Sequence, residues 1–273
     1  MNIISYTIWG DKPLYWRNIP FLVIVNDILF KGFCQVYYVH ESSAGIPPFP
    51  VLEECARMGK IALVVHSDRI EDKILMLHRM KPLWDPNTDY LFPRDTDSIP
   101  TSWEARAVQV FLRSELSVHM FRGSKYHDTL MGGLSGFWRK RILSLLPRTF
   151  EDFVTACVDK NGKHSPGTDQ KYFRDLLVKR LNEVVLDTPV CGATDLQWSR
   201  ATRYPEEAYS AVDLSYISDD LLKKMDEDAV FPGAVMHISR SSMLSALSLG
   251  TDMAEAVVRG LGSWKGEYLS SLK

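Results

Sequence analysis

The first part of the chain alternates two kinds of apolar pattern, and that alternation limits the fold more than any other feature. Short runs rich in β-branched and aromatic residues are typical of buried strands, and they cover 2–9, 35–39, 60–66 and 90–92. Runs with helical spacing separate them, at 15–30, 52–58 and 70–83. Strands and helices in alternation are typical of a parallel sheet with helices on both faces. We therefore expect an α/β fold with a mixed, mostly parallel central sheet.

The second part of the chain is less regular but predicts further elements. Thr101 as N-cap and Glu104 three positions later indicate a capping box, which opens a helix that ends near Ser114. The other expected elements are a strand at 118–121, a glycine-rich loop at 132–136, a helix at 168–185, a strand at 230–238 and a short helix at 242–249. Neither a linker nor a repeat divides them, so we expect one domain with two closely packed halves.

Composition excludes several classes of protein. An apolar fraction of 45% is ample for a core, which argues against disorder. The 32 Lys and Arg residues balance the 34 Asp and Glu residues, which argues against a protein whose main function is to bind nucleic acid. The four cysteines have no C-x-x-C spacing, so reduced thiols are expected. The N-terminus lacks a charged leader, and the apolar run at 19–30 is too short to span a bilayer. We expect a soluble, cytoplasmic protein.

Two carboxylates, Asp95 and Asp97, directly follow the fourth strand-like run. Ligands of parallel sheets bind outside the carboxyl ends of the strands, and Ser67 and Trp9 are expected at the same edge. Hard cations such as Mn²⁺ or Mg²⁺ prefer oxygen ligands and leave positions open for phosphates. The pair therefore predicts a metal site, although Asp-rich turns are common and a solvated loop stays open.

A longer series of residues around this pair has a recognisable order and spacing. It comprises Arg94-Asp-Thr-Asp-Ser98, Glu104-Ala-Arg-Ala-Val108, Ser114, His119-Met-Phe-Arg122, His127 and Gly132-Gly133, preceded by Ser5–Gly10, His78-Arg79 and Pro82-Leu83. The set resembles glycosyltransferases of the Rossmann-like GT-A fold, in particular a group from large algal (chlorella-type) viruses and some bacteria. The resemblance covers the first half to two-thirds of the chain. Gly123 and Trp103 depart from the group's pattern, which has Asp and Arg at those positions.

The resemblance implies transfer of a sugar from a nucleotide-sugar donor, with UDP as the expected nucleotide, to a glycan or other hydroxyl acceptor. It implies a nucleotide-sugar-binding half at 1–98, an acceptor-binding half at 99–273, and the host cytoplasm as location if the protein is viral. Mn²⁺ or Mg²⁺ would be bound directly by Asp97, with Asp95 acting through water or on the ribose. A late histidine, His237, would be the third ligand; a structural histidine on a strand is the alternative.

The resemblance also implies roles for residues around the donor. Nucleotide-sugar contacts are expected from Ser5, Tyr6, Trp9, Ser67, Arg79, Arg94, Asp95, Gly132 and Gly133. Trp9 would stack on the base, and the glycines would let the sugar approach the backbone. From the residues alone, the arginines fit surface ion pairs, Trp9 fits ordinary core and the glycines fit a plain turn.

Asp169 and Gln170 open the helix that is expected to begin at Thr168. By the same resemblance, this motif would face the acceptor, with Asp169 as general base or as a stabiliser of oxocarbenium-like charge. An Asp in a first helical turn is also favoured by the helix dipole alone. The choice between retaining and inverting chemistry stays open.

Three other functions compete with this interpretation. A haloacid-dehalogenase-type phosphatase would use Asp95 as nucleophile and Asp97 beside it, but Pro93 and Arg94 interrupt the apolar strand that motif requires. A nucleotidyltransferase would carry a glycine-rich basic loop after its first strand, and residues 9–14 are a poor match. A non-catalytic sugar-nucleotide-binding protein is the third alternative, and the intact Asp pair speaks against it.

Overall fold

A single sheet organises the protein. The computed structural model describes residues 1–67, 72–121, 132–165, 167–177, 184–187, 204–228 and 238–272. The strands are β1 (Asn2–Ile8), β2 (Cys34–His40), β3 (Ala62–His66), β4 (Tyr90–Arg94), β5 (Val118–Phe121), β6 (Ser135–Trp138) and β7 (Val184–Asp187). Their order is β3-β2-β1-β4-β6-β5-β7. Among these seven strands only β6 runs against its neighbours, β4 and β5, so the sheet is mixed and mostly parallel.

Helices cover both faces of the sheet. They are α1 (Pro13–Trp16), α2 (Ile19–Leu29), α3 (Phe49–Arg57), α4 (Asp72–Leu75), α5 (Ser102–Arg113), α6 (Arg139–Ile142), α7 (Phe150–Ala156), α8 (Thr168–Leu177), α9 (Glu206–Ser210), α10 (Asp219–Asp228), α11 (Arg240–Leu247), α12 (Asp252–Leu261) and α13 (Lys265–Ser271). Short 3₁₀-helices cover Glu41–Ser43, Met76–Trp84, Leu143–Leu145 and Gly262–Trp264. The predicted fold class, an α/β fold with a mixed, mostly parallel central sheet and helices on both faces, is confirmed.

The period of two along the strands produces two separate cores. Phe92 of β4 belongs to a core that includes α2, α3, α5, α11 and α12, whereas Leu91 belongs to the opposite one. That second core contains the 3₁₀-helix Met76–Trp84 with α7 and α8. Successive strand side chains point to opposite faces, so a strand such as β4 contributes to both cores.

Two helix predictions in the first half need correction. The run 15–30 forms two helices, because the chain turns at Asn18 between α1 and α2, where the Asn18 amide donates to the carbonyl of Thr96 at 3.3 Å. The run 70–83 is described from residue 72 onwards, and there it is a short α4 followed by a 3₁₀-helix that contains Pro82. Proline has no N–H to donate and clashes with the preceding turn of an α-helix, which favours the tighter and more irregular form.

Two predictions in the second half were also wrong. The helix that begins at Thr168 is described as far as Leu177, and residues 184–187, which were expected to include its last turn, form β7, parallel to β5. The expected loop at 132–136 includes Gly136, which is a β6 residue. A Cβ atom at Gly136 would lie 2.6 Å from the Phe92 ring, so glycine here allows close packing rather than a turn.

Other expectations are confirmed within the part of the chain that the structure describes. The four early strands, the strand at 118–121 and the helix near 242–249, now α11, are present. The Glu104 N–H donates to Thr101 Oγ at 3.1 Å, which caps α5, but the Glu104 side chain turns to Arg94 instead of completing the capping box. The predicted strand at 230–238 lies outside the described residues except for Ile238. Among the described helices, none has the length and apolarity needed to cross a bilayer.

Candidate functional site

A cavity of about 290 Å³ opens at the carboxyl ends of β1 and β4. Parallel sheets bind their ligands at this edge. The lining residues come from β1, α1, the 3₁₀-helix Met76–Trp84 and the loop after β4: Thr7, Ile8, Trp9, Tyr15, Met76, Arg79, Asp95, Thr96 and Asp97. Four residues predicted from the sequence to bind a metal or a nucleotide therefore share one cavity: Trp9, Arg79, Asp95 and Asp97.

The loop after β4 presents both carboxylates to the cavity. The strand ends at Arg94, and the Ser98 N–H donates to the Asp95 carbonyl at 3.3 Å, which turns the chain. Burial, and next the charge of Asp95, raise the pKa of Asp97 to about 6. A cation bound between the two carboxylates would offset both effects, and carboxylate oxygens are suitable ligands for Mn²⁺ or Mg²⁺. The residues present therefore fit the predicted metal.

Arg79 joins this pair to a third carboxylate. Its guanidinium is buried and donates to Asp95, and its Nη2 atom lies 3.0 Å from Asp169 Oδ2. Burial opposes the charge of Arg79, but the carboxylates of Asp95 and Asp169 outweigh it and keep the pKa raised. Arg79 is thus fixed between the predicted metal site and the predicted catalytic carboxylate.

Two glycines let the backbone pass against these ion pairs. A Cβ atom at Gly132 would collide with the Arg79 guanidinium and the Asp169 carboxylate, and one at Gly133 would collide with the Asp95 carboxylate. Both residues are buried in the turn before β6. Gly132 and Gly133 therefore pack directly against the charged side chains of the site, where a larger residue would not fit.

Asp169 is fully buried in the first turn of α8. Its Oδ2 atom accepts from Arg79, whereas Oδ1 is buried and accepts no hydrogen bond from the described residues. Gln170 follows it on the helix as a partly exposed residue and does not line the cavity. Asp169 thus lies against the cluster, and Gln170 lies beside it.

Arg94 does not line the cavity. It is 6% exposed, and its Nε atom lies 2.6 Å from Glu104 Oε1. Its Nη1 atom donates to the carbonyls of Pro93 and Ser135, at 2.8 and 2.7 Å. Sequence reasoning assigned Glu104 to a capping box, so this pair was not predicted. The available signal was that both residues belong to the same recognised motif series.

Of the aromatic residues that were predicted to contact the nucleotide, one lines the cavity and the other lies in the core. Trp9 lines the cavity and stacks on Tyr15, with ring centroids 6.5 Å apart. Tyr6 is buried, stacks on Tyr37 and accepts a hydrogen bond from the Asn26 amide at 2.8 Å. Tyr15 was not predicted, because its place in an apolar run gives no sign of exposure to a ligand.

Two serine candidates also lie away from the cavity lining. Ser5 is fully buried within β1, and Ser67 is exposed after β3, at the same edge of the sheet but two strands from β1. His127 and the predicted third metal ligand His237 lie outside the described residues. Within the described ranges, no group of three or more His, Cys, Asp or Glu has the arrangement to hold a metal ion.

Comparisons with known proteins give remote likenesses. No family model matches the sequence, and no curated protein matches it. Among solved structures, a mannosyltransferase from Pyrobaculum calidifontis in complex with GDP-Man and Mn²⁺ is similar, with 12% identity, a TM-score of 0.43, and coverage of 98% of this chain and 72% of that one. A 4-diphosphocytidyl-2C-methyl-D-erythritol synthase from Anaerococcus prevotii has 10% identity, a TM-score of 0.41, and coverage of 72% and 93%. These similarities are too distant to assign a function to this chain.

Proposed function

We propose that the protein is a metal-dependent glycosyltransferase, which moves a sugar from a nucleotide-diphosphate sugar to a hydroxyl group of a glycan or other acceptor. The observation that carries the proposal is the cavity at the carboxyl ends of β1 and β4. It combines an aromatic side chain, two carboxylates and a guanidinium: Trp9, Asp95, Asp97 and Arg79. A nucleoside diphosphate has a base, a metal-binding diphosphate and negative charge, and these groups match that set.

In this proposal the chain binds the donor through residues on both sides of the cavity. Trp9, supported by Tyr15, stacks on the base. Asp97 and Asp95 hold Mn²⁺ or Mg²⁺, which when bound supplies charge stabilisation to the leaving diphosphate. Arg79 orients Asp95 and faces the anionic donor. The nucleotide-sugar contacts expected for Ser5, Tyr6, Ser67 and Arg94 remain predictions, since none of these four residues lines the cavity.

The acceptor side is assigned to the cluster beyond Arg79. Gly132 and Gly133 remain proposed nucleotide-sugar contacts, although in the described structure the side chains of Arg79, Asp169 and Asp95 fill the space that their Cβ atoms would take. Asp169 receives the acceptor proton or stabilises oxocarbenium-like charge, and Gln170 contacts the acceptor. In the described structure Asp169 is engaged by Arg79, so an exchange of partners at Arg79 would accompany that role. His237 remains the proposed third metal ligand.

The finer assignments follow from the sequence resemblance. They are UDP as the nucleotide, residues 1–98 as the donor half, residues 99–273 as the acceptor half, and a cytoplasmic location. UDP and GDP differ in the base that Trp9 would face, so a direct comparison of the two ligands tests the choice of base.

The experiment is calorimetric titration of the protein with UDP and GDP, with and without Mn²⁺. We expect one nucleotide to bind in a Mn²⁺-dependent manner and Asp97→Ala to abolish that binding. Asp175→Ala is the matched control, because Asp175 is an exposed carboxylate that pairs only with its neighbour Arg174 among the described residues. Absence of binding by both nucleotides would overturn the donor site. Phosphatase activity lost in Asp95→Asn would then favour the phosphatase alternative.

A further inference from the structure

The ion pair between Arg94 and Glu104 lies outside the cavity, directly before one of its carboxylates, Asp95. Arg94 directly precedes Asp95, and its guanidinium also donates to the Ser135 carbonyl on β6. Ser135 follows Gly133 by two positions, and Leu134 between them forms a backbone bridge with Arg94. Gly133 in turn packs against the Asp95 carboxylate. The pair therefore links α5 to the loop of the carboxylates and to the glycine turn.

Stability alone is a poor reason for this pair. Both side chains are almost completely buried, with 6% and 3% of their surface exposed. Removing two charges from water costs as much as their attraction returns, and buried pairs can often be replaced by apolar residues without loss of stability. A single buried ion pair does, however, impose a geometry that apolar contacts do not. The fixed geometry of its hydrogen bonds, rather than stability, is therefore the property that explains the pair.

We propose that the Arg94–Glu104 pair is a positioning device, which sets the distance between the Asp95 carboxylate and the Gly133 turn and thereby the geometry of the metal site. The inference rests on the proposed function, because it assigns a role toward the metal that Asp95 and Asp97 would bind. Glu104 acts through Arg94 and touches neither metal nor nucleotide. Residues that support metal ligands in this way typically change metal affinity when they are replaced.

This role differs from the direct nucleotide contact expected for Arg94. The Nε and Nη1 atoms of the guanidinium donate hydrogen bonds to groups inside the protein, and its Nη2 atom is buried as well. A positioning role predicts an effect of Glu104 variants, in which Arg94 is still present. A direct contact predicts an effect on nucleotide affinity only.

The test uses the double variant Arg94→Met/Glu104→Leu, which removes one positive and one negative charge and so leaves the net charge around the site unchanged. Mn²⁺ affinity is measured by electron paramagnetic resonance, without nucleotide and at saturating nucleotide. At saturation, a lost nucleotide contact does not alter Mn²⁺ affinity. We expect affinity to fall by about tenfold or more, while thermal unfolding stays close to that of the wild type. Arg57→Met/Glu54→Leu, at an ion pair on α3, is the matched control.

A second variant covers the case in which the double variant does not fold. Glu104→Asp keeps both charges and withdraws the carboxylate by one methylene, and we expect it to lower Mn²⁺ affinity by a smaller factor. Unchanged Mn²⁺ affinity in a folded double variant, or in Glu104→Asp if only that variant folds, would overturn the positioning role and leave the proposed function intact. A wild-type protein that binds no Mn²⁺ under either condition would overturn the proposed function and this inference together.

Discussion

The Nη2 atom of Arg79 lies 3.0 Å from Oδ2 of Asp169, although the two residues are 90 positions apart in the chain. Asp169 is completely buried, and Arg79 is its charged partner in the described structure. The same guanidinium also holds Asp95. The Arg79 guanidinium thus connects the loop after β4 to the start of α8.

Replacing Arg79 by Met should destabilise the protein by about 3–5 kcal/mol, because the Asp169 carboxylate would stay buried without its partner. The measurement is urea unfolding with the slope of the transition compared between variants. Asp169→Asn added to Arg79→Met should recover part of the loss. Arg174→Met, at a partly exposed pair with Asp175, should change stability by less than about 0.5 kcal/mol. A loss below about 1 kcal/mol in Arg79→Met would contradict the importance of the pair.

Gly133→Ala should lower Mn²⁺-dependent nucleotide affinity by about tenfold or more, because small displacements of site residues are costly. The new Cβ atom would push against the Asp95 carboxylate. Calorimetric titration is the measurement. The control is Gly45→Ala, where nothing lies within 4 Å of the added carbon, and its affinity should be that of the wild type. Equal affinity in both variants would show that Asp95 has room to move.

Gly136→Ala should reduce stability by about 1–3 kcal/mol through overpacking, since its Cβ atom would lie 2.6 Å from the Phe92 ring. Gly266→Ala is the matched control within α13, in open space. It should stabilise the protein by about 0.4–1 kcal/mol by restricting the unfolded chain. Chemical denaturation of the two variants side by side checks the opposite signs, and a shift of the same sign in both would contradict the packing argument.

Trp9→Ala should weaken nucleotide binding by about threefold to tenfold, which corresponds to the loss of one aromatic stack. Trp9→Phe should retain most of the affinity. Inorganic pyrophosphate with Mn²⁺ is the control ligand, because it lacks a base and its affinity should not depend on residue 9. If Trp9→Ala weakens pyrophosphate and nucleotide equally, the side chain supports the cavity instead of stacking on the base.

The sequence pattern predicted the first half of the fold well and the second half less well. The first four strands and the position of Asp95 directly after β4 follow from local apolar runs. The pattern failed at 184–187, which continues a helix-like stripe but pairs with β5 as a parallel strand. A short apolar run is compatible with either form, and a distant partner decides between them. Gly136 failed for a similar reason, since its neighbour Phe92 comes from another strand.

The site shows the same division. Residue type and spacing indicated Asp95 and Asp97, because carboxylates suit a metal ion. The resemblance to GT-A glycosyltransferases, rather than the residues alone, indicated Arg79 and Asp169. The same reasoning expected Arg94 to face the ligand, whereas its side chain turns to α5 and pairs with Glu104. A long side chain at the end of a strand turns towards the partner that is available there. The neighbouring residues in the sequence do not reveal that partner.

By itself, the sequence determined which segments can be strands and helices and that two carboxylates follow β4, because periodicity and chain order are local properties. Only the tertiary structure decided that Arg79 is held between Asp95 and Asp169, that Gly133 leaves space for the Asp95 carboxylate, and that Arg94 is internal. Those arrangements depend on contacts between residues far apart in the chain. The energy of such contacts is set by burial and by which charges meet in space, so it is defined only once the sheet has assembled.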